Sequence, residues 1–277
     1  MQKYSYAALA APGVDLGFVR LSGPGLANCL FMACRAYLDA KDLGLAFVDP
    51  TWRKISIGPY LRGERDKRAY SDLFTHRGVS GLKKMWLLAR MKVGMAKDVH
   101  VVPDISGYFI PLYGRHKEVK EYIDSITIPE TISLLQGVDL SHHIAVHVRL
   151  GDYNQSLRIP LEWYDGIINK LLELDPTLKF ALFSDGTDEE LALLLRHPEV
   201  ARHFYGNAFA DMTAISKCRM LIASDSTFSA WGAYLGQIPI IFNRRHFPPV
   251  YPENSITEVI VPNEIDAYSF TIAKLVD

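Results

Sequence analysis

Three cysteines in 277 residues are too few, and too irregularly placed, to staple a fold. Cys29, Cys34 and Cys218 lack paired spacing. That argues against a disulfide framework and against a zinc site, and it fits a reducing cytoplasm. Long apolar runs are missing as well. Met1–Arg20 is interrupted by Pro12, Gly13 and Asp15, so it does not read as a signal peptide, and no later run is long enough to span a bilayer. A charge excess is also lacking: the formal net charge of −1 argues against a general nucleic-acid binder. There is no internal repeat and no low-complexity tract. What remains, 49% hydrophobic and 22% charged, is an ordinary globular chain long enough for one large domain or two small ones.

The stretch Ile144–Tyr153 organises the reading. Ile144, Ala145, Val146 and Val148 predict a buried parallel strand, which breaks at Gly151-Asp152, a dipeptide suited to a sharp turn. His147 and Arg149 are two apart and so share one face of that strand. Polar groups there are costly unless something polar meets them. In open α/β sheets the carboxyl ends of the strands line the ligand crevice. Arg149 is near such an end, and a guanidinium fits phosphate through paired hydrogen bonds. A simple Arg149–carboxylate tie between two elements is the alternative.

Downstream, strand and helix alternate: a helix over Pro160–Glu173, a strand over Lys179–Phe183, a helix over Asp188–His197 and a short strand at Phe204-Tyr205. A helix over Asp211–Lys217, a strand over Arg219–Ala223, a helix over Ala230–Leu235 and a strand over Ile238–Phe242 follow. This rhythm predicts a doubly wound parallel sheet. Upstream, Leu16–Val19 reads as a first strand, followed by the glycine-containing turn Gly23–Gly25 and a helix to Lys41. Leu45–Val48 and Val99–Val102 read as further strands, with a charged helix over His116–Ile123. The predicted domains are 1–140 and 141–277, with the boundary in Leu135–His143.

Several polar groups fall at strand ends: Arg149 and Asp152, then Ser184 and Asp185, then Ser224–Ser229. One helix cap needs one hydroxyl, whereas Ser224, Ser226, Thr227 and Ser229 cluster, which favours phosphate binding over capping alone. Asp211 reads as an N-cap or as an acceptor for a guanine edge, Asp185 as a turn residue or a ligand, and His147 as a core histidine or a ligand. Between Arg53 and Asp98 there are twelve Lys or Arg and four Asp or Glu. Leu82, Met85, Trp86, Ala89 and Val93 share one helix face there. The commoner reading is a helix resting on a core; the other is an anionic membrane surface or acceptor.

The motifs have a known counterpart. His147-Val-Arg-Leu-Gly-Asp-Tyr153 resembles the His-x-Arg-Arg-Gly-Asp-Tyr motif of the α-1,2-fucosyltransferases, glycosyltransferase family eleven. Phe183-Ser-Asp185, Asp211–Leu235 and Gly25–Phe31 resemble three further motifs of that family, in the same order. Leu150 stands where the family has a second arginine, Ala27 where it has glycine, Cys29 where it has glutamine and Ala230 where it has tryptophan.

The resemblance implies a GT-B-like α/β fold, with two Rossmann-type domains facing a cleft. The N-terminal domain would serve the acceptor and the C-terminal domain GDP-fucose. It implies inversion at the sugar carbon, no metal and no cofactor beyond the donor. Arg149 would hold the β-phosphate, His147 and Asp211 the guanine, and Thr227 and Ser229 the diphosphate. Gly25, Leu26 and Asn28 would approach from the other domain. Asp185 and Ser226 complete the expected nucleotide-sugar site. The motifs do not identify the general base: Asp152 is a candidate for it, with a purely structural role at the turn as the alternative. The acceptor would be a glycan or a lipid-linked oligosaccharide, in the cytoplasm or at the inner membrane face. The rivals are a same-fold transferase using another nucleotide sugar, a catalytically inactive nucleotide- or glycan-binding protein, and a membrane-surface scaffold.

Overall fold

The computed structural model describes residues 2–10, 13–55, 61, 69–151, 158–253 and 256–275. The chain forms two compact units, Met1–Thr131 and Ile132–Asp277. The division falls inside the 3-10 turn Pro129–Leu135. Among the described residues no helix is long and apolar enough to cross a membrane.

The first unit holds a three-stranded parallel sheet of β1 (Tyr4–Ala7), β2 (Ala46–Val48) and β3 (Val99–Val102) in the order β2-β1-β3. Among the described residues its helices include α1 (Leu26–Asp42), α2 (Gly81–Lys92) and α3 (His116–Ile126). The strand expected at Leu16–Val19 is instead a turn. The Asp15 carboxylate accepts from the Gly17 N–H at 2.7 Å, and Gly17 has a φ of +89°, which no ladder accommodates. The true first strand is Tyr4–Ala7, buried at every position.

Helix α2 reverses another expectation. The stripe Leu82, Met85, Trp86 and Val93 faces solvent, while Lys84, Leu87 and Leu88 are buried. The helix is apolar on both sides, and the inner side won the core.

The second unit holds six parallel strands: β4 (His143–Val148), β5 (Lys179–Ser184), β6 (Val200–Arg202), β7 (Met220–Ala223), β8 (Ile240–Phe242) and β9 (Glu258–Ile260). Their order is β6-β5-β4-β7-β8-β9. The chain steps outward one way from β4 and the other way from β7. That is the doubly wound order, with its switch point between β4 and β7. The helices are α4 (Leu161–Leu174), α5 (Ala192–Leu195), α6 (Ala208–Ile215), α7 (Thr227–Gly236) and α8 (Ser269–Ala273).

Ile144, Val146, Val148 and Leu150 enter one core with α4, and the alternate positions His147 and Arg149 face the other way. Helices α6 and α7 pack so closely that a Cβ on Gly232 would meet Ile215 Cγ2 at 2.6 Å, and one on Gly236 would meet Ser216 O at 2.2 Å. The strand expected at Phe204-Tyr205 is Val200–Arg202 instead, because the Tyr205 N–H leaves the ladder for the Asp211 carboxylate at 2.7 Å. The helix expected over Asp188–His197 contracts to Ala192–Leu195.

Gly23 has a φ of +101°, and a Cβ there would lie 1.9 Å from Leu9 O. Gly23→Ala should therefore destabilise the protein by more than about 2 kcal/mol, read by chemical denaturation. A loss under about 0.5 kcal/mol would mean the turn is not built this way.

Candidate functional site

The switch point of the six-stranded sheet is where β4 and β7 end side by side. The His147 ring, one residue before the end of β4, is 5% exposed. Its Nδ1 is 2.9 Å from Ser224 Oγ and 2.6 Å from Ser229 Oγ, and the two hydroxyls are 2.9 Å from each other. Phe228 stacks on the ring at 4.9 Å. Ser224 begins the loop after β7, and its N–H donates to His147 O at 3.0 Å. Strand β4 is thereby bonded to the turn that opens α7. Burial pushes the His147 imidazole well below its usual range, to about 4, with Asp185 opposing the shift and Arg149 adding to it.

Arg149 is the first residue after β4. Its Nη1 is 2.9 Å from Asp185 Oδ2, and both side chains are about a quarter exposed (25% and 26%). Asp185 Oδ1 accepts from the Leu150 N–H at 2.8 Å and the Gly151 N–H at 3.1 Å. A Cβ on Gly151 would lie 2.5 Å from Asp185 Oδ2, so glycine is what lets the carboxylate in. The expected carboxylate tie of Arg149 is therefore present, and it sits at the crevice end of the sheet. Leu150, where the resembled motif has arginine, is 6% exposed and turned into the core.

Helix α7 presents its amino end to the same region. Ser226 is the N-cap, accepting from the Phe228 N–H at 3.2 Å, and Thr227 is the first helical residue. Its ten-residue length gives an aligned dipole with positive character at that end. Ser229 is fully buried and faces His147, so its hydroxyl is directed inward. Asp211 is not an N-cap. Asn207 caps α6, accepting from the Ala210 N–H at 2.9 Å, and Asp211 bonds the Tyr205 N–H.

Asp152, the candidate base, lies outside the described residues. Gly25, Leu26 and Asn28 belong to the first unit. Gly25 is the N-cap residue of α1, and the Leu26 N–H donates to Tyr70 Oη at 3.1 Å. Beneath that turn Arg20, fully buried, donates to Ser22 O at 2.6 Å and reaches Cys29 Sγ at 3.1 Å.

Sequence reasoning missed one group at the strand ends. Asp225 accepts from the His246 N–H at 2.9 Å, lies 2.6 Å from His246 Nδ1, and has Arg244 Nε at 4.0 Å. Arg244 comes two residues after β8 and Arg149 one after β4, so the strand-end rule that selected one should have selected the other. Among the described residues no three His, Cys, Asp or Glu side chains come together to hold a metal ion.

Residues 111–241 match the family model described as glycosyl transferase family 11, which spans the motifs at His147, Phe183 and Asp211. No curated protein sequence matches the chain. Among solved structures it is similar to NodZ α-1,6-fucosyltransferase soaked with GDP-fucose, at 15% identity over 87% of this chain and 94% of that one, with a TM-score of 0.53. It is similar also to fucosyltransferase NodZ from Bradyrhizobium, at 16% identity over 88% and 96%, again with a TM-score of 0.53. At that identity the likeness is one of fold, and the fold is GT-B.

The depressed His147 has a definite consequence. Its folded value of about 4 lies below the ordinary value of 6.5, so the unfolded chain binds more protons between them. Its contribution is fully present above 6.5 and is lost as pH falls toward 4. Urea denaturation across that window should show a steeper loss in the wild type than in His147→Gln. Equal slopes would place the ring in a different environment.

Proposed function

We propose that this glycosyltransferase, whose residues 111–241 carry the family 11 match, moves fucose from GDP-fucose to a hydroxyl of a glycan acceptor with inversion at the sugar carbon. The carrying observation is Arg149, held by Asp185 two residues beyond His147, which bonds the turn that opens α7. In the displacement, the acceptor oxygen bonds to the anomeric carbon as the bond from that carbon to the phosphate oxygen breaks. GDP departs with the electron pair, and the hydroxyl proton passes to a base, for which Asp152 is the candidate.

The departing diphosphate gains negative charge in the transition state. A preorganised cation and helix dipole stabilise it without reorganising at the moment of reaction. Here they take the part a divalent cation plays elsewhere. A guanidinium carries five donors in a planar fork, so it can bond Asp185 on one edge and a phosphate oxygen on another. Asp185 thus acts as a positioning residue for Arg149. His147 holds the hydroxyl turn in place through Nδ1, and a contact with guanine would fall to Nε2. The acceptor class and the cytoplasmic setting are part of the same reading.

Arg149→Ala should lower transfer by roughly 10²- to 10³-fold with an unchanged far-ultraviolet circular dichroism spectrum. Turnover close to wild type in the folded variant would remove Arg149 from the phosphate. Calorimetry against GDP- and UDP-sugars should show binding of the guanosine compounds. Preference for a uridine donor would favour a same-fold transferase of other specificity. Tight GDP binding with no transfer to any glycan would favour an inactive binding protein.

A further inference from the structure

Helix α2 buries Leu87 and Leu88 beside Lys84, and it carries apolar side chains on the face it shows as well. On the outer side Leu82 is 83% exposed, Trp86 57% and Met85 41%. A second segment joins them. Residues Val14–Leu21 fold back on themselves, with the Leu21 N–H donating to Val14 O at 3.0 Å and the Leu16 N–H to Val19 O at 2.9 Å. The tip of this turn rests on α2, since a Cβ on Gly17 would lie 2.7 Å from Met85 Cγ. Phe18, beside Gly17, is 61% exposed. The tip and the helix therefore form one continuous apolar surface within the first unit. Isolated exposed apolar side chains need no explanation, but a contiguous set of this kind marks an interaction surface.

The charge around it selects the occupant. Between Leu82 and Lys97 the chain carries Lys83, Lys84, Arg90, Lys92 and Lys97 and no Asp or Glu. Lys84 points inward, whereas Lys83, Lys92 and Lys97 are exposed. The Arg90 guanidinium lies 4.6 Å from the Trp86 ring centre and pairs with Asp98 at 2.8 Å. An indole flanked by cations beside exposed Leu and Phe suits the boundary between lipid headgroups and acyl chains. A second copy of this chain would bring the same basic stripe against itself.

We propose that the outer face of α2, with the Leu16-Gly17-Phe18 tip, seats the protein on the surface of an anionic lipid bilayer, with Trp86, Leu82 and Phe18 entering the headgroup boundary. This is independent of which sugar the enzyme transfers.

Four tryptophans are present, and Trp52, Trp163 and Trp231 are buried, so a change in emission on binding reports Trp86. The full chain is mixed with vesicles of phosphatidylcholine alone or with phosphatidylglycerol added, then sedimented, and its tryptophan emission is recorded. Co-sedimentation with the anionic vesicles only, with a blue shift, is the expected result. Trp86→Phe should sediment as wild type and lose the shift. Leu82→Ser combined with Phe18→Ser, and separately Lys92→Glu combined with Lys97→Glu, should each weaken binding by about tenfold or more. Circular dichroism and the unchanged GDP affinity of these variants show that they are folded. No sedimentation, equal sedimentation with neutral vesicles, or binding without a blue shift would overturn the proposal. So would a self-associated species in ultracentrifugation that is lost in Leu82→Ser.

Discussion

A single carboxylate fixes the carboxyl end of β4. Asp185 leaves β5, accepts the backbone N–H groups of Leu150 and Gly151, and meets Arg149. Without it, two amides at the turn would lose their partner, and a half-buried guanidinium would lose its orientation. The cost of such losses is mostly the cost of leaving polar groups unmet. Glycine at position 151 is the steric condition for this contact, because any side chain would strike the carboxylate. The arrangement places one oriented cation where a doubly wound sheet exposes its ligand crevice.

The neighbouring network does parallel work through neutral groups. His147 stays unprotonated at neutral pH because burial disfavours its charge. A neutral ring can join two serine hydroxyls without adding a second cation to the core, and it ties β4 to the loop that opens α7. The first unit shows a related device. Buried Arg20 donates to Leu9 O and Ser22 O, and Lys54 Nζ to Gly23 O at 2.7 Å, which sets the turn entering α1. In both units side chains brace the backbone, and the helix start is left in a fixed position.

How far the sequence alone reached depends on which forces acted locally. The strands β4, β5, β7 and β8 are short apolar runs bounded by turn residues, and their burial follows from that pattern. Leu16–Val19 misled because Leu16 and Phe18 are exposed and only Val19 is buried, at a turn held by Asp15, a side chain-to-backbone bond that hydropathy does not register. The outer stripe of α2 misled for a different reason. With apolar residues on both faces, periodicity cannot say which one meets the core. At the site, the spacing of His147 and Arg149 placed them on one face, as the structure does. It could not tell that Ser229 turns inward or that Asp185 bonds two amides, since both depend on which strands become neighbours. Asp225 with Arg244 joins positions from two separate loops and was invisible for the same reason.

The central claim is that the oriented guanidinium and the start of α7 together receive a diphosphate. A structure determined with GDP bound tests it most directly. Phosphate oxygens are expected within hydrogen-bond distance of Arg149 and of the backbone amides at the start of α7, with Asp185 still paired to the guanidinium. A diphosphate bound elsewhere, with no contact to Arg149, would contradict it.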